Sequence, residues 1–254
     1  MLDVTPIRYS EYKKMMNDIR QDSNAKFDLE FLKYINSDKS SELINLFEHS
    51  QSQLRQDLFV LNELNFKKNG FFIEFGATNG IELSNTYLLE KKFSWKGILS
   101  EPAKCWHYEL SRNRNCTITH ECVWSKSNLT LEFSESVSPE LSSISSIETN
   151  DYHSENRKSG EQKYSVRTIS LIDLLEKNNA PEVIDYLSID TEGSEFEILS
   201  AIDFNKYKFS VITCEHNYTE QREKIFQLLT SAGYRRVFEN ISKYDDWYIY
   251  DCNF

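Results

Sequence analysis

Nowhere in the chain do about 18 apolar residues follow one another, and the start, MLDVTPIRYSEYKK, lacks a basic stretch leading into an apolar core. Neither a membrane span nor a signal peptide is therefore expected, and a cytoplasmic location is. Glycine and proline are scarce, at 7 and 4 of 254 residues, which excludes collagen-like and linker-dominated architectures. Positive charge is in deficit. Lys and Arg number 29 against 40 Asp and Glu, for a formal net charge of −11. Phosphate neutralisation needs clustered cations, so nucleic acid is excluded as a partner, and a small-molecule or carbohydrate partner fits better. Five cysteines (Cys105, Cys116, Cys122, Cys214, Cys252) show no CxxC spacing. That excludes a disulfide framework or zinc site and implies reduced thiols. No metal is assigned.

What the chain does have is apolar material, with 39% hydrophobic residues, 16 Phe and 14 Tyr, enough for a sizeable core. Residues 1–65 read as helical, because FLKYI, ELINLF and LRQDLFVLNEL repeat apolar residues at three- and four-residue spacing. Ser50 with Gln53 has the spacing of a capping box for the last of these. From Gly70 the pattern changes. FFIEF (71–75), KGILS (96–100), ITHECVW (118–124), VIDYLSI (183–189) and FSVITC (209–214) are candidate strands. Between them NTYLLEKKF, LIDLLEKN, EFEILSAI and EQREKIFQLLTSAGY have helical spacing, the last ended by Gly233. Alternating strands and helices imply an α/β fold on a mostly parallel sheet, with RRVFE and WYIYD as a closing antiparallel pair. Residues 133–164, rich in Ser, Glu and Asn, read either as a surface excursion or as a lid.

Open parallel sheets bind ligands beyond the carboxyl ends of their strands. Glu74 and the turn Gly76 to Gly80 follow the first strand, Glu101 the second, Trp124-Ser125 the third, Asp190-Thr-Glu-Gly the fourth and Glu215-His-Asn the fifth. Four of five strands thus deliver a carboxylate to one edge. Glycine in E-x-G-A-x-x-G lets backbone approach a ligand, and Glu101 suits a pair of ribose hydroxyls. A tight turn at Gly76 and a capping role for Glu101 form the competing reading. A dinucleotide site would want G-x-G-x-x-G, whereas a carboxylate beside the turn favours the sulfonium and ammonium of S-adenosyl-L-methionine over the pyrophosphate of NAD.

Together SQLRQDLFVLNEL, GFFIEFGATNGIELSNTYLLEKKFSWKGILSEP, RTISLIDLL, YLSIDTEGSEFEIL and DDWYIY resemble the FkbM-type methyltransferases over roughly residues 50–250. The resemblance implies a class I methyltransferase (Rossmann-like) three-layer α/β fold. In it a seven-stranded, mostly parallel sheet has its last strand antiparallel. A domain over 51–254 would follow a helical extension over 1–50, which reads either as a dimerisation element for a homodimer or as a cover for one sheet face. S-adenosyl-L-methionine is the implied cofactor, with transfer to oxygen on a sugar, glycan or glycosylated small molecule. By motif position Glu74, Gly76, Ala77 and Gly80 border its methionine end, and Ser84 and Asn85 close that side. Glu101 holds the ribose, Val123 and Trp124 lie near the adenine, and Asp190 lies near the reacting centre.

Methylating a hydroxyl requires a base, because an alcohol is a weak nucleophile. Asp190 is the first candidate, His216 the second, and Glu215 either orients His216 or takes part in the acceptor site. Glu192 and Glu195 read as first-turn capping residues of the helix in GSEFEIL, with Glu192 alternatively touching substrate. Asp190 and Glu215 offer oxygen ligands that would also suit a divalent cation. Ser52, Gln53, Gln56 and Asp57 are either a brace or cofactor contacts. His49, His107, His120 and His153 read as structural or exposed. Two other classes compete: an NAD-type sugar-modifying oxidoreductase, and a catalytically silent cofactor- or metal-binding interaction module.

Overall fold

The computed structural model describes residues 25–35, 37–147 and 162–251. They belong to two compact units, Met1–Phe47 and Glu48–Phe254. In the first, residues 25–32 and Ser37–Ile44 are helical, with Phe31 and Leu43 buried. The helical reading of residues 1–24 lies outside the described residues, as does Cys252.

The second unit is built on a seven-stranded sheet. Its strands are β1 (Phe71–Phe75), β2 (Lys96–Ser100), β3 (Thr117–Thr119), β8 (Val183–Ile189), β9 (Lys208–Glu215), β10 (Tyr234–Val237) and β11 (Asp245–Tyr250). They lie in the order β10-β11-β9-β8-β1-β2-β3. β1, β2, β3, β8 and β9 run parallel, and β11 is antiparallel to both its neighbours. This is the class I topology expected, with the last strand reversed. Consecutive residues of β1 and β8 are buried, so both sheet faces are covered. The core unites Ile73, Ile98, Leu187, Phe209 and Ile212 with helical Leu174, Ile198 and Leu229.

Six helices of this unit carry labels: α1 (Gln56–Glu63), α2 (Tyr87–Phe93), α3 (His107–Asn113), α4 (Leu171–Lys177), α5 (Glu195–Ser200) and α6 (Gln221–Ser231). Their ends follow local chemistry. Ser170 Oγ accepts the Asp173 N–H to open α4, and Gly233, at φ +89°, ends α6. The capping box expected at Ser50 and Gln53 does not form. Instead Ser50 Oγ donates to Asp57 Oδ1 (2.6 Å) and Ser52 Oγ accepts the Asp57 N–H (3.2 Å).

Two further expectations are corrected. ITHECVW is not one strand: β3 stays in the large sheet, while β4 (Cys122–Trp124) joins a second, four-stranded sheet. The break falls at His120-Glu121, where Ser100 Oγ donates to Glu121 O and Thr119 Oγ1 accepts the Glu121 N–H. The other strands are β5 (Thr130–Glu135), β6 (Ser143–Ile144) and β7 (Gln162–Ser170). Residues 133–135, 143–144 and 162–164 are thus strand residues of a sheet, 136–142 and 145–147 are the turns around them, and the stretch 148–161 of the expected lid lies outside the described residues. Leu131 pairs with Val166 and Phe133 with Tyr164, giving this sheet a small core with Ala103 and Cys122. Serines fasten its turn: Ser142 Oγ accepts the Ser136 N–H and donates to Pro139 O.

One buried arginine ties the β1 end to its surroundings. Arg114, 3% exposed just after α3, donates to Gly80 O (3.2 Å), Ser84 Oγ (3.0 Å), Thr86 Oγ1 (2.8 Å) and Glu90 Oε2 (2.6 Å). It also lies 3.5 Å from Glu74 Oε2. The two carboxylates and one guanidinium leave little room for an uncompensated change. Arg114→Ala is expected to cost about 3–5 kcal/mol, read from urea unfolding, because the buried Glu74 and Glu90 lose their cationic partner. Combining Arg114→Met with Glu74→Gln should recover part of that loss; no recovery would refute the electrostatic account.

Candidate active site

The carboxyl ends of β1, β2, β8 and β9 converge on one place. β1 leaves the sheet at Gly76, whose N–H donates to Ser100 O at the end of β2 (3.2 Å). Asp190 N, just past β8, donates to Phe75 O (3.3 Å). A Cβ on Gly76 would sit 2.0 Å from Asp190 O, and φ is +77°. Glycine is therefore required here because another strand end crosses it, whatever approaches from the other side. Gly80 has a similar internal reason, since its Cβ would meet Arg114 Cγ and Leu110 Cδ1 at 2.7 Å. Ala77 is fully buried between them.

Glu74 departs from its expected part. Its Oε1 accepts the Asn85 N–H (2.6 Å), and its Oε2 accepts from Ser84 Oγ (3.0 Å) and Thr86 Oγ1 (2.5 Å) with Arg114 alongside. Both oxygens are engaged by the protein, so its charge is not presented to a ligand cation. It shapes the 84–86 turn instead. Asn85 from that turn donates to Ser188 Oγ on β8 (3.0 Å).

Glu101 is 4% exposed, with Oε2 accepting the Thr78 N–H and Oε1 the Ala103 N–H, both at 2.8 Å. It thereby joins the β1 turn to the β2 exit. Burial, only partly offset by these two bonds, pushes its carboxyl up to about 7. Each oxygen still has a lone pair for a second donor. His107 and His120 stack at 3.6 Å beside the Glu101 carbonyl, consistent with a structural reading. Val123, in β4, is buried in the main core, and half-buried Trp124 packs against the second sheet's core.

At β8 and β9 the carboxylates gather. One oxygen each of Asp190, Glu192 and Glu215 lies within 4.8 Å of the others. Burial, then repulsion within the group, holds the Asp190 and Glu215 carboxyls well above the usual range. The pair consequently retains a proton where isolated carboxyls have lost theirs. Asp245, opposite Glu215 on β11, is pushed up to about 7, chiefly by burial, and accepts from Gln56 Nε2 (2.8 Å). Such an all-oxygen set has the chemistry that organic cations and hard divalent cations alike require.

Glu195 and Glu192 separate. Glu195, the first residue of α5, accepts from Thr191 N (2.9 Å), Thr191 Oγ1 (2.8 Å) and Gly193 N (3.1 Å), so it organises the turn as expected. Glu192 lies ahead of the helix's first turn, whose acidic residues are Glu195 and Glu197. It is buried among the other carboxylates, at φ +57°.

His216 does not join them. It is 4% exposed, its Nδ1 accepts the Tyr218 N–H (2.9 Å), and its Nε2 lies 3.7 Å from Asp246 Oδ1. Burial pulls its pKa down to about 4. With its lone pair engaged by backbone, it cannot serve as the base, and Glu215 does not orient it. Asp246 is in turn held by Arg222 (3.0 and 2.8 Å) and Arg236 (3.2 Å).

The undecided helix-start residues resolve toward bracing. Ser52 forms a bridge to Leu83, Gln56 holds Asp245, and Asp57 is fully buried, whereas Gln53 is exposed. The sequence reading missed Arg114, Asp245 and Tyr244. Only Asp245 carried a signal, as part of the acidic pair opening DDWYIY.

No curated protein matches the chain. Among solved structures, precorrin-6y C5,15-methyltransferase from Geobacter metallireducens GS-15 is similar. The two are 12% identical, and the match covers 71% of this chain and 72% of that chain with a TM-score of 0.41. The model of the Methyltransferase FkbM domain matches residues 74–236, well over half of the chain, including Glu74, Glu101, Asp190, Glu192 and Glu215. The chain therefore belongs to the FkbM methyltransferase family.

Proposed function

We propose that the protein is an S-adenosyl-L-methionine-dependent O-methyltransferase acting on a hydroxyl of a sugar, a glycan or a glycosylated small molecule. The observation that carries this is the Asp190–Glu215 pair, which gathers with Glu192 within 4.8 Å at the carboxyl ends of two adjacent parallel strands, on the same edge as buried Glu101. The donor set fits the cofactor: Glu101 has free lone pairs for a diol, and the Asp190 group is anionic where a sulfonium would lie. When bound, the cofactor supplies an electrophilic methyl group. Asp190, partly exposed, accepts the acceptor hydroxyl's proton, and the hydrogen bond from Glu215 favours its ionised, proton-accepting form against the burial and repulsion that raise its pKa. The chain otherwise contributes alignment, holding the acceptor oxygen about 3 Å from the methyl.

Incubation with the donor and neutral glycosides should yield S-adenosylhomocysteine and an acceptor heavier by one methylene. Asp190→Asn is expected to lower turnover about 10²–10⁴-fold and, by removing negative charge facing the sulfonium, to weaken donor binding as well. Unchanged turnover would remove Asp190 from the chemistry, and binding of NAD in preference to the donor would overturn the class.

Glu101 gives a second expectation. The ionised carboxylate is the form that accepts two hydroxyls, and it is gained as pH rises through about 7. Donor affinity by calorimetry should tighten about tenfold between pH 6 and 8, and Glu101→Gln should flatten that dependence. A flat profile in the unaltered protein would exclude Glu101 from the ribose.

A further inference from the structure

Tyr218 is a large aromatic side chain left 69% exposed, yet it is held firmly. Asn217 and Tyr218 both sit in the left-handed region, at φ +44° and +56°. For two successive non-glycine residues that costs about 1–2 kcal/mol each, so the surroundings must impose it. They do so through His216. Its Nδ1 accepts the Tyr218 N–H at 2.9 Å, and its ring meets the Tyr218 ring edge-on at 5.3 Å and 76°. The Thr219 N–H closes the turn onto His216 O at 2.8 Å. Removing the imidazole from base chemistry leaves it this task.

The turn is also fixed to the carboxylate group. Glu215 immediately precedes it, and the N–H groups of His216 and Asn217 both donate to Tyr244 O, at 2.8 and 3.2 Å. Tyr244 is the residue before Asp245, Glu215's partner across β9 and β11. Tyr244 is half-buried, and burial together with Asp245, Asp190 and Glu215 keeps its phenol protonated, a hydrogen-bond donor beside acceptors. One lip of the site therefore presents an exposed aromatic face, a phenolic donor and carboxylate acceptors.

We infer that Tyr218, positioned by His216, is the platform on which the ring of a neutral pyranoside acceptor lies, its hydroxyls directed at the Asp190–Glu215 carboxyls. A pyranose offers an apolar C–H face and a hydroxylated rim, which this combination matches. Anionic acceptors are disfavoured: Arg222 and Arg236 on this edge are bound to Asp246, and the carboxylates repel a phosphate or uronate. The inference rests on the methyltransferase reading and specifies its acceptor.

Saturation-transfer NMR on the full chain, with S-adenosylhomocysteine present, tests it using methyl β-glucopyranoside, methyl β-galactopyranoside, the corresponding glucuronide, sorbitol and catechol. Calorimetry with S-adenosyl-L-methionine runs in parallel. A methyl pyranoside should bind, and Tyr218→Ala should weaken it about tenfold while Tyr218→Phe retains it, with donor affinity unchanged in both. Tyr218 is exposed, so these variants are expected to fold. Pyranosides that bind Tyr218→Ala as well as the unaltered protein, or that bind neither, would overturn the platform. So would preference for sorbitol, catechol or the glucuronide. Absence of donor binding would instead strike the methyltransferase reading itself.

Discussion

Burying carboxyl groups together is the constraint around which this protein is arranged. Asp190, Glu192, Glu195, Glu215 and Asp245 come from the ends of three adjacent strands and share one small volume. Charged carboxyls in such a place repel one another and lose water, which raises their pKa values until protons or cationic ligands relieve them. A merely structural protein gains nothing from that. The fold tolerates it because everything around the group is over-determined: Gln56 from α1 holds Asp245, Glu195 is saturated by the turn it organises, and Gly76 lets the ends of β1 and β8 touch.

The contrast with the neighbouring carboxylate is instructive. Glu74 lies one strand away but has Arg114, two hydroxyls and a backbone N–H. Asp190 and Glu215 have a proton between them and each other. Carboxylates at adjacent strand ends are braced in one case and left to one another in the other, and the difference lies in the partners, a guanidinium, two hydroxyls and a backbone N–H. Glu101 falls between the two, bonded to two N–H groups without a counterion, and so ionises near neutrality.

That difference explains what could be read from the sequence. β1, β2 and β8 were legible to the residue, because buried parallel strands are continuous apolar runs bounded by turn residues. The carboxyl edge followed from what ends each strand. The split at His120-Glu121 was not legible, since one apolar run feeds two sheets and only hydrogen bonds from Ser100 and Thr119 turn the chain. β5 and β7 did carry an alternating signal, in Leu131 and Phe133 and in Tyr164, Val166 and Thr168, but the serines around them masked it. Roles within the site were the least legible. Glu74, His216 and Glu192 each stand where a functional residue would, and only long-range partners sort them: Arg114 lies 40 positions from Glu74, and Asp246 lies 30 from His216.

His216 makes the general point sharpest. Its place after β9, beside Glu215, gave it the look of a base, and an imidazole's ordinary pKa suits neutral pH. Burial removes that suitability by favouring the neutral ring, and the Tyr218 N–H removes the lone pair. What burial takes from its acid–base chemistry it returns as rigidity. A neutral, desolvated ring with one nitrogen bound is a good anchor for a strained turn. The raised carboxyl pKa values belong to the Asp190–Glu215 pair, and shape falls to the histidine. The two tasks are divided between adjacent residues because successive side chains at a strand end point to opposite faces of the sheet.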